Sequence, residues 1–252
     1  MQLIVFMWLI KLRSIFWTST GILVSTSIMG SISLVVSLFS SSGFTQHSVA
    51  RAWSRSLLWI AGVKVEVEGL EKVAPGGSFV FIANHSSYFD VPVILPNVSA
   101  QFRFLANKNL FSIPFIGYHL QRAGHLPVDS ANPRESLRTM SEAARVIQER
   151  GISILLFPEG GRSTGELTPF KDGAAYIAIK AGVPIVPIGL IGLPGILPLH
   201  GAIIRAGRVK MCIGDPIPTL DLTLQDRTRL TQTLQQRVSE LVRQAKKIPV
   251  AV

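Results

Sequence analysis

Gly77-Ser78-Phe79-Val80-Phe81-Ile82-Ala83-Asn84-His85-Ser86-Ser87-Tyr88-Phe89-Asp90 joins a short apolar run to a polar one. Its first seven residues are rich in aromatic and β-branched side chains, the composition of a buried strand. His85 lies just past that run, and open α/β sheets place their chemistry in the crevice beyond the carboxyl ends of the strands. On one continuous helix five residues turn through about 140°, which would set His85 and Asp90 on different faces. A strand, a turn and a new helix bring them together. A carboxylate on one imidazole nitrogen then fixes the tautomer and leaves the other nitrogen free to take a proton from a hydroxyl. The competing reading makes Asp90 a helix cap and His85 an edge residue.

Working outward, the 252 residues suffice for one sizeable core. The formal net charge of +10 and pI near 10.3 call for an anionic partner, and both nucleic acid and an anionic membrane fit. The distribution chooses lipid. No Asp or Glu precedes Glu66, whereas Lys11, Arg13, Arg51, Arg55 and Lys64 fall in a strongly apolar stretch. Residues Ile15 to Phe39 carry no charge and are numerous enough to cross a bilayer as a helix. A signal peptide with Lys11 and Arg13 as its basic region competes, but an apolar stretch precedes those charges and no clean small-x-small site follows. A retained membrane segment is expected, whether spanning or embedded from one side. After Ser40-Ser41-Ser42-Gly43, Gln46 to Ala61 reads as an amphipathic helix with Val49, Trp53, Leu57 and Ile60 as its stripe, serving the core or an interface. Val63 to Gly69 alternates with period two, a half-exposed strand. Residues 1–62 are thus expected to form a membrane-associated helical segment and 63–252 the domain that carries the chemistry. The one cysteine, Cys212, excludes an intrachain disulfide and suits a reducing compartment.

Between Phe104 and Asp129, apolar residues alternate with single basic ones such as Lys108 and Arg122, as in a groove for an amphiphile or in ordinary core segments. Asn132-Pro133 opens a helix whose stripe is Leu137, Met140, Ala144 and Ile147 and which Gly151 ends. Ile152 to Phe157 is a second buried strand and runs into Pro158-Glu159-Gly160-Gly161-Arg162-Ser163. Such a turn offers backbone N–H groups and a guanidinium fork, a match to a phosphate. Both working stretches then lie at strand ends, on one edge. Asp172 to Gly182 is a short buried helix, Val183 to Ile188 a strand whose prolines indicate an edge or irregular position, and Arg208 to Gly214 a further strand. Thr223 with Asp226 forms a capping box opening a helix with Leu230, Leu234, Val238, Leu241 and Ala245 on its apolar face and Lys246-Lys247 at its basic end.

Taken together these stretches resemble the glycerolipid acyltransferase family. Asn84-His85 through Asp90 resembles its His-x4-Asp block, Phe115-Gly117 through Asp129 the second, Phe157 to Ser163 the third and Val183 to Pro187 the fourth. The likeness covers roughly Val63 to Gly214. It implies an α/β domain with a mostly parallel sheet covered by helices, preceded by N-terminal membrane-associated helices. It also implies acyl transfer from coenzyme A or acyl carrier protein to the free hydroxyl of lysophosphatidic acid, giving phosphatidic acid in phospholipid synthesis. His85 and Asp90 become the catalytic pair, with His85 as general base. Glu159, Gly160, Arg162 and Lys108 become substrate-binding residues, the last two toward the phosphate. The domain is expected to face the cytoplasm, where thioester donors are made, with membrane lipids as partners and no nucleic acid. Neither metal nor cofactor is implied. Ser130 stands where the family commonly has arginine, with Arg134 the nearest basic residue, and Gly161 where it commonly has threonine.

Three alternatives remain. Another acceptor (a different lysophospholipid, a lyso-aminolipid or glycerol 3-phosphate) would use the same blocks. Gly161-Arg162-Ser163-Thr164-Gly165 matches G-x-S-x-G, with Asp172, Asp215 and His200 downstream, as in an α/β-hydrolase. However, Pro158, Glu159 and two glycines separate Ser163 from the strand, and Pro169 opposes a helix directly after it. A non-enzymatic lipid-binding protein is the third.

Overall fold

The computed structural model describes residues 2–40, 42–164 and 166–246. Ser41, Gly165, Lys247 and the side chains of Ala245 and Lys246, which enter the readings above, lie outside the described residues. The apolar N-terminus forms one continuous helix: α1 (Gln2–Leu12), a π-helical stretch (Arg13–Ser19) and α2 (Thr20–Phe39). Val5–Phe39 is long and apolar enough to cross a membrane by length and composition. Gly43, at φ +76°, lets the chain reverse into α3 (Phe44–Ala61); a Cβ there would sit 2.6 Å from the Ala123 carbonyl oxygen.

The sheet then assembles from β1 (Val63–Glu68), β2 (Val80–Ala83), α4 (Asp90–Asn97), β3 (Phe102–Asn107), α5 (Ile116–Arg122), β4 (Leu126–Val128), α6 (Pro133–Arg150), β5 (Ser153–Leu156), α7 (Gly173–Ala181), β6 (Ile185–Ile191), α8 (Leu193–Ile196), β7 (Gly207–Ile213) and α9 (Arg227–Lys246). Seven strands lie in the order β1-β7-β6-β2-β5-β3-β4, and every pairing is parallel except β6 with β7. The central strands are buried on both faces, as a parallel sheet requires. Phe81, Ala83 and Leu155 join a core under α3 and α4, while Val80, Ile82, Ile154 and Leu156 join a second core with α6, α7 and α9. The expected mostly parallel α/β sheet with covering helices is therefore observed.

Several local expectations hold. Asn132 accepts from the Glu135 N–H at 3.2 Å at the start of α6, Gly151 ends that helix at φ +62°, and Thr223 and Asp226 form the capping box. Three need correction. The proline-bearing Val183–Ile188 strand takes the irregular position its prolines indicate but not an edge: β6 is central and buried along all seven residues. Pro187 is tolerated because its missing N–H falls in a gap on the β7 side, between the Ile185–Ile217 bridge and the Ile188–Ile213 pair, where its carbonyl accepts from Gly214. The buried face of α3 is Gln46, His47, Ala50, Ser54, Leu57, Leu58 and Ala61, so of the expected stripe only Leu57 is buried, and Val49, Trp53 and Ile60 are half-buried. Part of that stripe faces α2 instead, where Trp53 Nε1 donates to Thr26 at 3.0 Å. Finally, Leu137 of α6 is exposed, and Ala143 and Val146 take its place in the core.

Candidate active site

The parallel sheet delivers the two polar turns to one edge. β2 and β5 are neighbours, with Ile82 opposite Leu156, so Asn84-His85 and Phe157-Pro158-Glu159 emerge side by side. Asn84 fastens the first turn: its amide donates to the Leu190 carbonyl at 3.0 Å and accepts from the Leu190 N–H at 2.7 Å. The backbone then swings into α4, and Asp90, in the first turn of that helix, comes back under His85. Their contact, Nδ1 to Oδ2, is 2.6 Å. The Ser86 and Ser87 N–H groups donate to the same oxygen at 2.7 and 2.9 Å. With the positive end of the helix beside it, this fully buried carboxylate is held as an acceptor. The arrangement places the N–H on Nδ1 of His85 and leaves Nε2 with its lone pair. The imidazole side chain is 15% exposed, enough for a substrate to reach it. Its face lies on the Phe157 ring, with centroids 3.9 Å apart and planes 13° from parallel.

The glycine-rich turn is tied to the histidine turn at two points. Glu159 accepts from the His85 N–H through Oε1 at 2.7 Å and from the Thr168 N–H and hydroxyl through Oε2 at 3.0 and 3.1 Å. Both of its oxygens thus serve the protein's own donors. Ser163 N–H donates to the His85 carbonyl at 2.9 Å. Gly160 needs its positive φ of 74°, and the Lys171 side chain packs where a Cβ would stand. At Gly161 nothing lies within 4 Å of that position, so a threonine there would meet no obstacle. Arg162 lies over the Tyr88 ring, Cζ 3.6 Å from its centroid.

Lys108 follows the end of β3, the neighbour of β5, and pairs with Asp129 after β4. That hydrogen bond holds the lysine above its ordinary pKa and the carboxylate below its own. The structure therefore brings His85, Asp90, Glu159, Gly160 and Arg162 into one pair of linked turns, with Lys108 two strands away from β2 on the same sheet edge. Ser163 does not occupy a strand-to-helix elbow, because a loop runs from Phe157 to Asp172 before α7 begins. A surface depression between α6 and α7, lined by Arg138, Glu142, Arg145 and Lys180 among others, contains none of these groups. Arg145 in it is already paired with Glu142 and Glu149.

Sequence reasoning missed Phe157 as a platform for the imidazole, Asn84 as a clamp, and Tyr88 beneath Arg162. Phe157 ends an apolar run and reads like any core aromatic. Asn84 and Tyr88 are one and three residues from His85, but their partners are 106 and 74 positions away.

Comparison with known proteins follows this geometry. A chloroplastic 1-acyl-sn-glycerol-3-phosphate acyltransferase of Brassica napus is 33% identical over 68% of this chain and 50% of its own length. A Haemophilus influenzae protein of the same name is 38% identical over 56% of this chain and 58% of its own. The chain spans about half the length of the curated relatives it matches. Among solved structures, the 1-acyl-sn-glycerophosphate (LPA) acyltransferase PlsC of Thermotoga maritima shares the fold, with a TM-score of 0.77 over 96% of this chain and 99% of that one at 22% identity. The family model described as Acyltransferase matches residues 64–191, from β1 to the end of β6, and since this takes in both linked turns the chain belongs to the acyltransferase family.

Proposed function

We propose that this protein transfers an acyl group from a thioester, carried on coenzyme A or acyl carrier protein, to the free hydroxyl of 1-acylglycerol 3-phosphate, giving phosphatidic acid. The observation that carries the reading is the 2.6 Å contact between His85 Nδ1 and the buried Asp90, which leaves Nε2 for the substrate. In the reaction Nε2 takes the hydroxyl proton as the oxygen attacks the thioester carbonyl, a step worth typically 10²–10⁴-fold. The tetrahedral intermediate collapses with loss of the thiolate, which takes the proton from His85, and no acyl-enzyme forms. Asp90 stabilises the imidazolium that exists between these steps. Arg162 and Lys108 bind the acceptor's phosphate, while Glu159 and Gly160 shape the turn that presents Arg162. The names of the relatives and the family match support the substrate class.

Residues 1–62 hold the enzyme on the membrane, where its acceptor resides, and residues 63–252 form the catalytic part, facing the cytoplasm. The long apolar helix supports the membrane association. With Ser130 rather than arginine after Asp129, another acceptor (a different lysophospholipid, a lyso-aminolipid or glycerol 3-phosphate) is the second reading, and one experiment separates the two. Detergent-solubilised protein is offered labelled acyl-coenzyme A, then acyl carrier protein, with lysophosphatidic acid, lysophosphatidylcholine, lysophosphatidylethanolamine and glycerol 3-phosphate. Selective labelling of lysophosphatidic acid, lost in His85→Ala with folding unchanged, is the expected result. Normal turnover in His85→Ala sinks the mechanism, and preference for a different acceptor moves the substrate. Arg162→Ala is expected to raise the acceptor KM far more than the donor KM.

A further inference from the structure

Between His85 and Asp90, four consecutive positions are Ser86, Ser87, Tyr88 and Phe89; all are buried except Tyr88, which is 56% exposed. That ring carries the Arg162 guanidinium at 3.6 Å from its centroid, well inside the range of about 6 Å over which a cation is attracted to an aromatic face. Among the described residues no carboxylate pairs with Arg162, and its buried Nε has no partner. Stacking covers a face of the guanidinium plane and leaves the edge of the fork for a bidentate anion. Because Ser163 N–H is bonded to the His85 carbonyl, the residues that bear the two stacked groups are built on one frame with the imidazole.

We propose that Tyr88 is a positioning residue: its ring holds Arg162 so that an acceptor phosphate bound on the fork edge sets the neighbouring hydroxyl in register with His85. The inference rests on the reading above that Arg162 binds that phosphate. Only two carbons separate a phosphate ester from the hydroxyl in such an acceptor, so a wandering arginine misplaces the reacting oxygen, and displacements of about 1 Å are costly in rate. A free arginine carries substantial rotamer entropy, which a flat partner removes before the substrate arrives. The role asks for a ring and not for a hydroxyl.

The test measures KM for lysophosphatidic acid and for acyl-coenzyme A, together with Tm, in Tyr88→Phe, Tyr88→Leu, Arg162→Ala and the Tyr88→Leu/Arg162→Ala double variant. Tyr88→Phe is expected to behave as the parent. Tyr88→Leu is expected to raise the acceptor KM roughly tenfold, as loss of a cation–π partner implies, with donor KM and Tm unchanged and no added effect in the double variant. If Arg162→Ala raises the acceptor KM and Tyr88→Leu does not, the inference falls alone. If Arg162→Ala leaves the acceptor KM unchanged, the phosphate assignment falls and Tyr88 with it. An equal Tyr88→Leu effect with and without Arg162 would mean that the ring meets the substrate directly, and a lowered Tm or raised donor KM would make its role structural. Either result overturns the proposal.

Discussion

Strand β6 and helix α2 hide opposite kinds of residue. All seven positions of β6 are buried, five of them Ile, Val or Leu. In α2 the fully buried positions are Ser33 and Ser37, while Leu23, Val24, Ile28, Ile32, Val35, Leu38 and Phe39 are exposed. The seam of α2 against its neighbours is laced with hydrogen bonds: Ser25 meets Ser56 at 2.6 Å, Ser33 meets His119 Nδ1 at 2.6 Å, and Ser37 donates to Tyr118 at 3.3 Å. Gly21 brings α2 close to α3, for a Cβ there would stand 2.9 Å from Ile60. A soluble fold buries apolar area because water surrounds it. Where hydrocarbon is the surroundings that gain vanishes, and small residues and hydrogen bonds hold helices together instead. The two regions are thus built for different solvents, which agrees with the membrane placement proposed here.

The contrast can be broken in three ways, in descending order of expected effect. Leu155 is fully buried at the centre of the sheet, so Leu155→Asp leaves an unpaired charge there and should cost more than about 4 kcal/mol, enough to prevent folding. A folded, cooperative Leu155→Asp protein by circular dichroism would show that the sheet core is not what holds the domain.

The second concerns the boundary between the regions. His47 of α3 lies edge-on to Phe102 at 4.7 Å, 1% exposed, with neither ring nitrogen partnered among the described residues. Burial, with Arg103, Arg51 and His119 nearby, pushes its pKa down to about 3. His119 and His125 are lowered too, chiefly by burial. The unfolded chain would take up these protons near 6.5 while the folded chain would not, so stability is fully present above that value and declines as pH falls toward 3. Between pH 7 and pH 5, above most carboxylate titration, His47 alone should remove on the order of 2 kcal/mol, or ~4–8 °C in Tm. His47→Leu should make this loss shallower. Equal losses in the two proteins would remove His47 from the account.

The smallest effect on stability is expected on the outer face of α2. Changing Val24, Ile28 and Ile32 together to Ser should leave the unfolding free energy of the detergent-solubilised protein within about 0.5 kcal/mol of the parent, and its Tm with it, while weakening its binding to phosphatidylcholine–phosphatidylglycerol vesicles. A large fall in Tm would mean that this face packs on the protein itself.

Legibility in the sequence followed range. The strand ending at Ala83, the α6 cap at Asn132, the Gly151 stop and the Thr223 capping box depend on residues a few positions apart, and the structure carries all of them. His85 and Asp90 belong with these, since one turn closes their contact. The α3 stripe holds only at Leu57, because that helix packs on two sides at once and the apolar Val49, Trp53 and Ile60 describe only part of its surroundings. Pro187 of β6 marks the irregular position that a proline in a strand indicates, and only the strand order shows that it is not an edge. Glu159 reads in the sequence as a group for substrate, and its contacts with His85 and Thr168, 74 and 9 residues away, are not legible there.

By itself the sequence determined where strands and helices lie, which turns bear polar groups and that His85 and Asp90 can meet, because periodicity, capping and turn chemistry act over a few residues. Only the tertiary structure decided the strand order, the buried face of each helix, the clamping of Leu190 by Asn84 and the stacking of Arg162 on Tyr88. Those depend on which distant backbones the sheet sets side by side, and no local pattern encodes that.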